Sequence, residues 1–238
     1  MGGTTNSAIC NSQFAIQSSS FVVVLPACNE EAHIGSIISS CRVLSAEVWV
    51  IDDGSTDGTG DKARKAGARV ITHEQNLGKG MAIRTAFTAF TQSDHEYLIL
   101  MDADGQHDPA YIPALIERVR ESKAGIVIGN RMLSKVKMPW VRRWTNQVMS
   151  WMISRLAGQT IPDSQCGYRL VSRSFAERFR PTTCRFDLES EMLIQAGRLG
   201  FKIQSVPIST IYEGQSSHIR IAGDTLRFLR LLVRYFTS

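Results

Sequence analysis

From Phe21 onward, short runs of β-branched and aliphatic residues alternate with stretches of helical periodicity, and no other feature restricts the fold as much. Such alternation is the pattern of an α/β layered fold, a central mostly parallel sheet with helices on both faces. Residues 21–25 read as a buried strand closed by Pro26, residues 48–51, 69–72, 97–101 and 126–128 as further strands, and residues 202–206 as a last one. Asn29 is suited to cap the first helix, with Glu30 and Glu31 in its first turn and Ile34, Ile37, Ile38 and Cys41 on its inward face. Residues 55–59 form a polar turn into a helix ending near Gly67, and Gly78-Lys79-Gly80 opens another that runs to Phe90. Helices are expected over residues 141–156, 188–199 and 221–236, and residues 163–168 read as a loop punctuated by Pro162, Ser164 and Gly167.

At 238 residues the chain can bury a large core without staples. We expect one domain over residues 21–238, preceded by a flexible, uncharged tail over residues 1–20 that lacks the basic start and apolar run of a signal peptide. Five scattered cysteines without a Cys-x-x-Cys pair argue against a disulfide framework or a zinc ribbon, and fit a cytoplasmic setting. No stretch approaches the ~18 to 20 consecutive apolar residues that a spanning helix needs.

The chemistry gathers at strand ends, where open α/β sheets place their ligands. Asp102-Ala103-Asp104-Gly105-Gln106 follows the strand at 97–101, and two carboxylates one residue apart suit a hard cation such as Mg²⁺ or Mn²⁺. An isolated Asp-x-Asp is more often a solvated turn. Here Asp52-Asp53 ends a second strand and Pro26-Ala27-Cys28-Asn29-Glu30 a third, and three acidic strand ends side by side would repel one another unless they serve a metal and a polar ligand.

These residues carry a resemblance. Pro-Ala-x-Asn-Glu at 26–30, Ile-Asp-Asp-Gly-Ser-Thr-Asp-Gly-Thr at 51–59, Asn-x-Gly-Lys-Gly at 76–80 and Met-Asp-Ala-Asp-Gly-Gln-His-Asp-Pro at 101–109 resemble, in order and spacing, the family 2 glycosyltransferases of the GT-A fold. Within that family the chain looks most like the polyprenyl-phosphate (dolichyl-phosphate) mannose or glucose synthases. The resemblance implies a donor nucleotide pocket from Pro26, Ala27, Glu30, Asp52, Asp53 and Asp102, and a Mg²⁺ or Mn²⁺ site from Asp102, Asp104 and Gln106, with Asp104 and Arg131 as the catalytic pair. Arg131, Arg142 and Asn146, with Ser217 and His218 on a following loop, would take the acceptor phosphate. Residues 163–168 resemble the family's Asp-x-x-[Ser/Cys]-Gly-[Phe/Tyr] loop, with Ser164 where Pro is usual.

The implied reaction is inverting transfer of a hexose from a nucleoside diphosphate sugar to a lipid phosphate, a nucleophile already anionic and in need of no general base. A hydroxyl acceptor would instead need a carboxylate, for which Asp163, Asp187, Glu189 and Glu191 are the candidates. A nucleotide-binding protein without transferase activity is the alternative of another class. Residues 131–162 hold six Lys or Arg, no Asp or Glu, and three tryptophans, the pattern of a segment lying on a membrane surface; residues 221–236 set Arg227, Arg230 and Arg234 among leucines and phenylalanines to similar effect. A cytoplasmic enzyme peripheral to the membrane is therefore expected. Charge without a recognition motif gives no support to nucleic-acid binding.

Overall fold

The computed structural model describes residues 20–44, 46–133, 140–185, 187–209 and 235, with only the backbone of Arg142. The tail over residues 1–19, the Arg142 side chain, Ser217, His218 and nearly all of the expected helix at 221–236 lie outside the described residues.

Seven strands form one sheet: β1 (Phe21–Ala27), β2 (Glu47–Asp52), β3 (Arg69–Thr72), β4 (Tyr97–Leu100), β5 (Ile126–Asn130), β6 (Arg169–Ser172) and β7 (Ile203–Pro207). Their order is β3-β2-β1-β4-β6-β5-β7. The pairs β1/β2, β1/β4, β2/β3 and β5/β7 are parallel, whereas β6 runs antiparallel to both neighbours. Between them lie α1 (Glu31–Val43), α2 (Thr59–Lys65), α3 (Lys79–Thr91), α4 (Ile112–Ser122), α5 (Trp140–Ala157), α6 (Arg173–Ala176) and α7 (Asp187–Arg198).

Alternation along the strands feeds two cores. Val22 and Val24 of β1 join Ile83, Phe87 and Phe90 of α3, Ile153 of α5, and Met192 and Ile194 of α7 on one face. Phe21, Val23 and Leu25 join Ile34 and Ile38 of α1, Ala63 of α2, and Leu115 and Ile116 of α4 on the other. Strands covered on both faces read as continuous apolar runs, which is why β1 and β2 show no polar alternation.

Three expectations need correction. β1 continues through Pro26 to Ala27, because its pairing with β4 stops at Val24 and the missing proline N–H breaks no ladder there. Asn29 does not cap α1: Glu30 occupies that position without a side-chain cap, while Asn29 adopts φ 59°. β6 is a strand the sequence reading lacks; Arg169-Leu-Val-Ser is too short and too polar at its start to show a strand pattern.

Candidate active site

Parallel pairing brings the carboxyl ends of β1, β2 and β4 to one sheet edge, with Ala27 level with Asp52 and Val24 level with Leu100. The antiparallel β6 reverses direction between β4 and β5, so its preceding loop, residues 163–168, arrives at that same edge together with Arg131 after β5.

The β1 and β2 ends are stitched together by side chains. The Asn29 carboxamide oxygen accepts from Thr56 N (2.8 Å), Asn29 N donates to Ser55 Oγ (3.0 Å), and Glu30 N donates to Thr59 Oγ1 (2.8 Å). Two helix starts cap each other: the Glu31 carboxylate accepts from Gly58 N at the start of α2 (3.1 Å), and Asp57 accepts from Glu31 N in α1 (3.3 Å). Burial pushes the Asp57 carboxyl up, but the hydrogen bonds from Thr59 and Glu31 together outweigh it, and the carboxyl lies below the ordinary value. Asp53 is buried and saturated, accepting from His73 Nδ1 (2.7 Å), Leu77 N (2.9 Å) and Gly78 N (2.7 Å). It shapes the turn that starts α3. Asp52, also buried, accepts from Ser55 N (3.1 Å). Pro26, Ala27, Glu30, Asp52 and Asp53 thus lie together at the adjoining ends of β1 and β2.

Asp102 stands at the centre of the second cluster. Lys79 Nζ lies 2.6 Å from Asp102 Oδ1 and 3.2 Å from Glu189 Oε2, and His107 Nε2 lies 3.5 Å from Asp102 Oδ2. Burial opposes the charges, but the Lys79 ammonium beside Asp102, with help from His107, holds that carboxyl well below the carboxylate range. Burial likewise opposes the Lys79 charge, and attraction to Asp102 and Glu189 outweighs it, so the ammonium titrates higher than an exposed lysine. Asp104 Oδ1 accepts from Gln106 N (3.0 Å). Asp104 and Gln106 also border an open groove of about 360 Å³ with His33, Ser36 and Ser40 of α1. Gly167 comes so close that a Cβ there would overlap the Asp102 carboxylate.

The third cluster lies beneath Arg131. Its Nε and one Nη donate to the two oxygens of Asp163 (2.8 and 2.9 Å), and its backbone N donates to the same carboxylate (3.1 Å). Asn146 Nδ2 of α5 adds a further bond to Asp163 (2.7 Å), and Ser150 bridges Asn146 to Ser164. Burial raises the Asp163 pKa less than the Arg131 and Asn146 hydrogen bonds lower it, and the net direction is down. Arg169 is fully buried and donates to the carbonyls of Cys166 (2.8 Å), Ser164 (2.7 Å) and Glu189 (2.5 Å). One guanidinium therefore ties the 163–168 loop to the residue that holds Lys79. Burial pushes the neighbouring Cys166 thiol up to about 12, which keeps it inert.

Lys79, Glu189 and Arg169 are the site residues that sequence reasoning left without these roles. Lys79 sits inside a motif that carried the resemblance, so a signal was present; the positions of Glu189 and Arg169 depend on β6 and α7 folding back to the edge.

Over residues 22–180 the chain matches the glycosyl transferase family 2. It is 32% identical to a dolichyl-phosphate hexose transferase of Haloferax volcanii, covering 78% of this chain and 80% of that one. It is 30% identical to an undecaprenyl-phosphate mannosyltransferase of Micrococcus luteus, covering 85% and 87%. Among solved structures, the glucosyl-3-phosphoglycerate synthase of Mycobacterium tuberculosis superposes with a TM-score of 0.73 at 25% identity, covering 91% of this chain and 80% of that one. Motifs, sheet order and these matches agree: the chain is a glycosyltransferase and belongs to glycosyl transferase family 2.

Proposed function

We propose that this glycosyltransferase moves a hexose, with inversion, from a nucleoside diphosphate sugar to a polyprenyl phosphate at a membrane surface. The observation that carries the reading is the fate of the carboxylates available as a general base. Asp163 is held by Arg131 and Asn146, Glu191 accepts from Thr182 and Thr183, and Glu189 is paired with Lys79. Asp187 accepts from Arg185 N. A hydroxyl acceptor needs a carboxylate poised to take its proton, whereas a phosphate acceptor needs a cation and no base. Arg131, fixed in orientation by its fork on Asp163, meets that need. The names of the Haloferax and Micrococcus relatives point to the same acceptor class.

Asp102 and Asp104, with the Gln106 amide oxygen, would hold Mg²⁺ or Mn²⁺. Among the described residues no group of three His, Cys, Asp or Glu is arranged to hold a metal ion by itself. Two carboxylates and an amide fit a hard ion that keeps waters and takes its remaining oxygens from a diphosphate. When bound, the ion neutralises charge on the departing diphosphate. Pro26, Ala27, Glu30, Asp52 and Asp53 would orient the nucleoside, and Arg131, Asn146 and Arg142 the acceptor side, together with Ser217 and His218, which lie outside the described residues.

No helix among the described residues is long and apolar enough to cross a membrane. α5 instead exposes Trp140 (80%), Trp144 (63%) and Trp151 (60%), with Arg143 beside them and the Arg155 guanidinium 5.5 Å from the Trp151 ring. Aromatic and basic residues on one exposed helix suit peripheral contact with anionic lipid. The deciding assay is transfer of radiolabelled sugar from UDP- and GDP-sugars to polyprenyl phosphate by purified protein with Mg²⁺ or Mn²⁺. Transfer is expected with one donor. Failure with every donor, or transfer only to a soluble hydroxyl acceptor, overturns the reading.

A further inference from the structure

Lys79 poses a problem that the reaction leaves open. Its ammonium lies 2.6 Å from Asp102, a carboxylate assigned above to a divalent cation, and it is held there by Glu189 from a different helix. The side chains of Lys79 and Asp102 are 23% and 26% exposed, so water screens the pair only in part. The lysine cannot drift away easily. It is the first residue of α3, where Gly78 at φ 94° starts the helix and backbone 184–185 packs against Gly80. Asp102 is confined from the opposite side by Gly167 and His107.

A divalent ion and an ammonium on the same carboxylate repel each other, and in a partly dry site that repulsion is strong. A nucleoside diphosphate brings enough negative charge to compensate both. From this geometry we infer that Lys79 is an internal cation that keeps divalent metal off the free enzyme. Metal then binds tightly only together with the diphosphate, whose charge the released ammonium helps to balance. Lys79 is thus a positioning residue that couples two ligands, and Glu189 holds it in place. The inference rests on the metal reading given above.

The test is direct binding of Mn²⁺ alone to full-length protein, followed by electron paramagnetic resonance of the free ion, then repeated with UDP or GDP. Wild type is expected to bind Mn²⁺ weakly alone and at least roughly 10-fold more tightly with one of the two diphosphates. Lys79→Met should bind Mn²⁺ alone at least roughly 10-fold more tightly than wild type, and much of the nucleotide dependence should vanish. Lys79→Arg, which keeps the charge, should retain weak binding of Mn²⁺ alone, and it stands in as the control if the Met variant is poorly folded. If Lys79→Met binds Mn²⁺ no better than wild type while wild type still takes up Mn²⁺ with a diphosphate, the inference is overturned and the metal reading stands. If wild type takes up no Mn²⁺ with either diphosphate, both are overturned.

Discussion

At the residue scale, the site works by placing opposite charges under tight steric control. Asp104 has one oxygen engaged by Gln106 N and borders an open groove, so Asp104→Ala should abolish sugar transfer while leaving the melting temperature within a few degrees of wild type. Transfer that survives in this variant would remove Asp104 from the site. Gly167→Ala probes the neighbouring carboxylate: the added methyl must displace the Asp102 side chain, and activity should fall with little loss of secondary structure by circular dichroism. Asp163 offers a pH test. Its folded pKa is depressed, so its contribution to stability is complete above the ordinary carboxylate pKa of about 4 and is lost as pH falls through the lower folded value. Asp163→Asn should flatten that acid limb in denaturation measured between pH 6 and 2. It should also lower stability at pH 7 by about 3 kcal/mol, since the fully buried position 163 would lose the charge around which Arg131 and Asn146 are arranged.

At the scale of elements, the α1/α2 pair shows how far local sequence carries a prediction. The sequence places Glu30, Glu31 and Asp57 near helix starts, as the dipole favours, and Asp57 does accept from Thr59 N at the start of its own helix; across the pair, Glu31 serves α2 and Asp57 serves α1. Glu31→Ala should cost about 1 kcal/mol, the usual value of a lost cap, and should leave transfer unaffected once corrected for folded fraction. β6 marks the opposite limit. Its four residues carry no periodic signal, but the buried Arg169 in it connects the Asp163 loop to Glu189 and hence to Lys79. Arg169→Lys keeps the charge but supplies fewer donors in a different geometry. We expect kcat for transfer, corrected for folded fraction, to drop about 10-fold or more with KM for the donor nearly unchanged. Equal specific activity per folded molecule would limit Arg169 to a scaffold role.

Across the whole molecule, charge is partitioned. Acidic side chains crowd the edge formed by β1, β2 and β4, while α5 carries Arg143, Arg155 and its three tryptophans outward and turns Asn146, Ser150 and Ile153 inward. Two arginines near an anionic surface contribute about 1 kcal/mol each. Arg143→Gln with Arg155→Gln should therefore weaken sedimentation with phosphatidylserine vesicles by roughly 30-fold at low salt, with nucleotide binding unchanged. Vesicle binding that ignores both substitutions would place the membrane contact elsewhere.

The linear chain by itself determined the α/β class, nearly all the strands, and the acidic residues that gather at the strand ends. Each of those signals is local: an apolar run, a turn, or a carboxylate directly after a strand, and the strand end fixes where such a carboxylate must lie. What only the tertiary structure decided is which of those charges meet. The antiparallel insertion of β6 brings residues 163–168 beside Asp102 and Arg131, and α7 carries Glu189 onto Lys79. Those encounters join residues far apart in sequence. Their geometry comes from burying two apolar sheet faces at once, and no periodicity within a single segment records it.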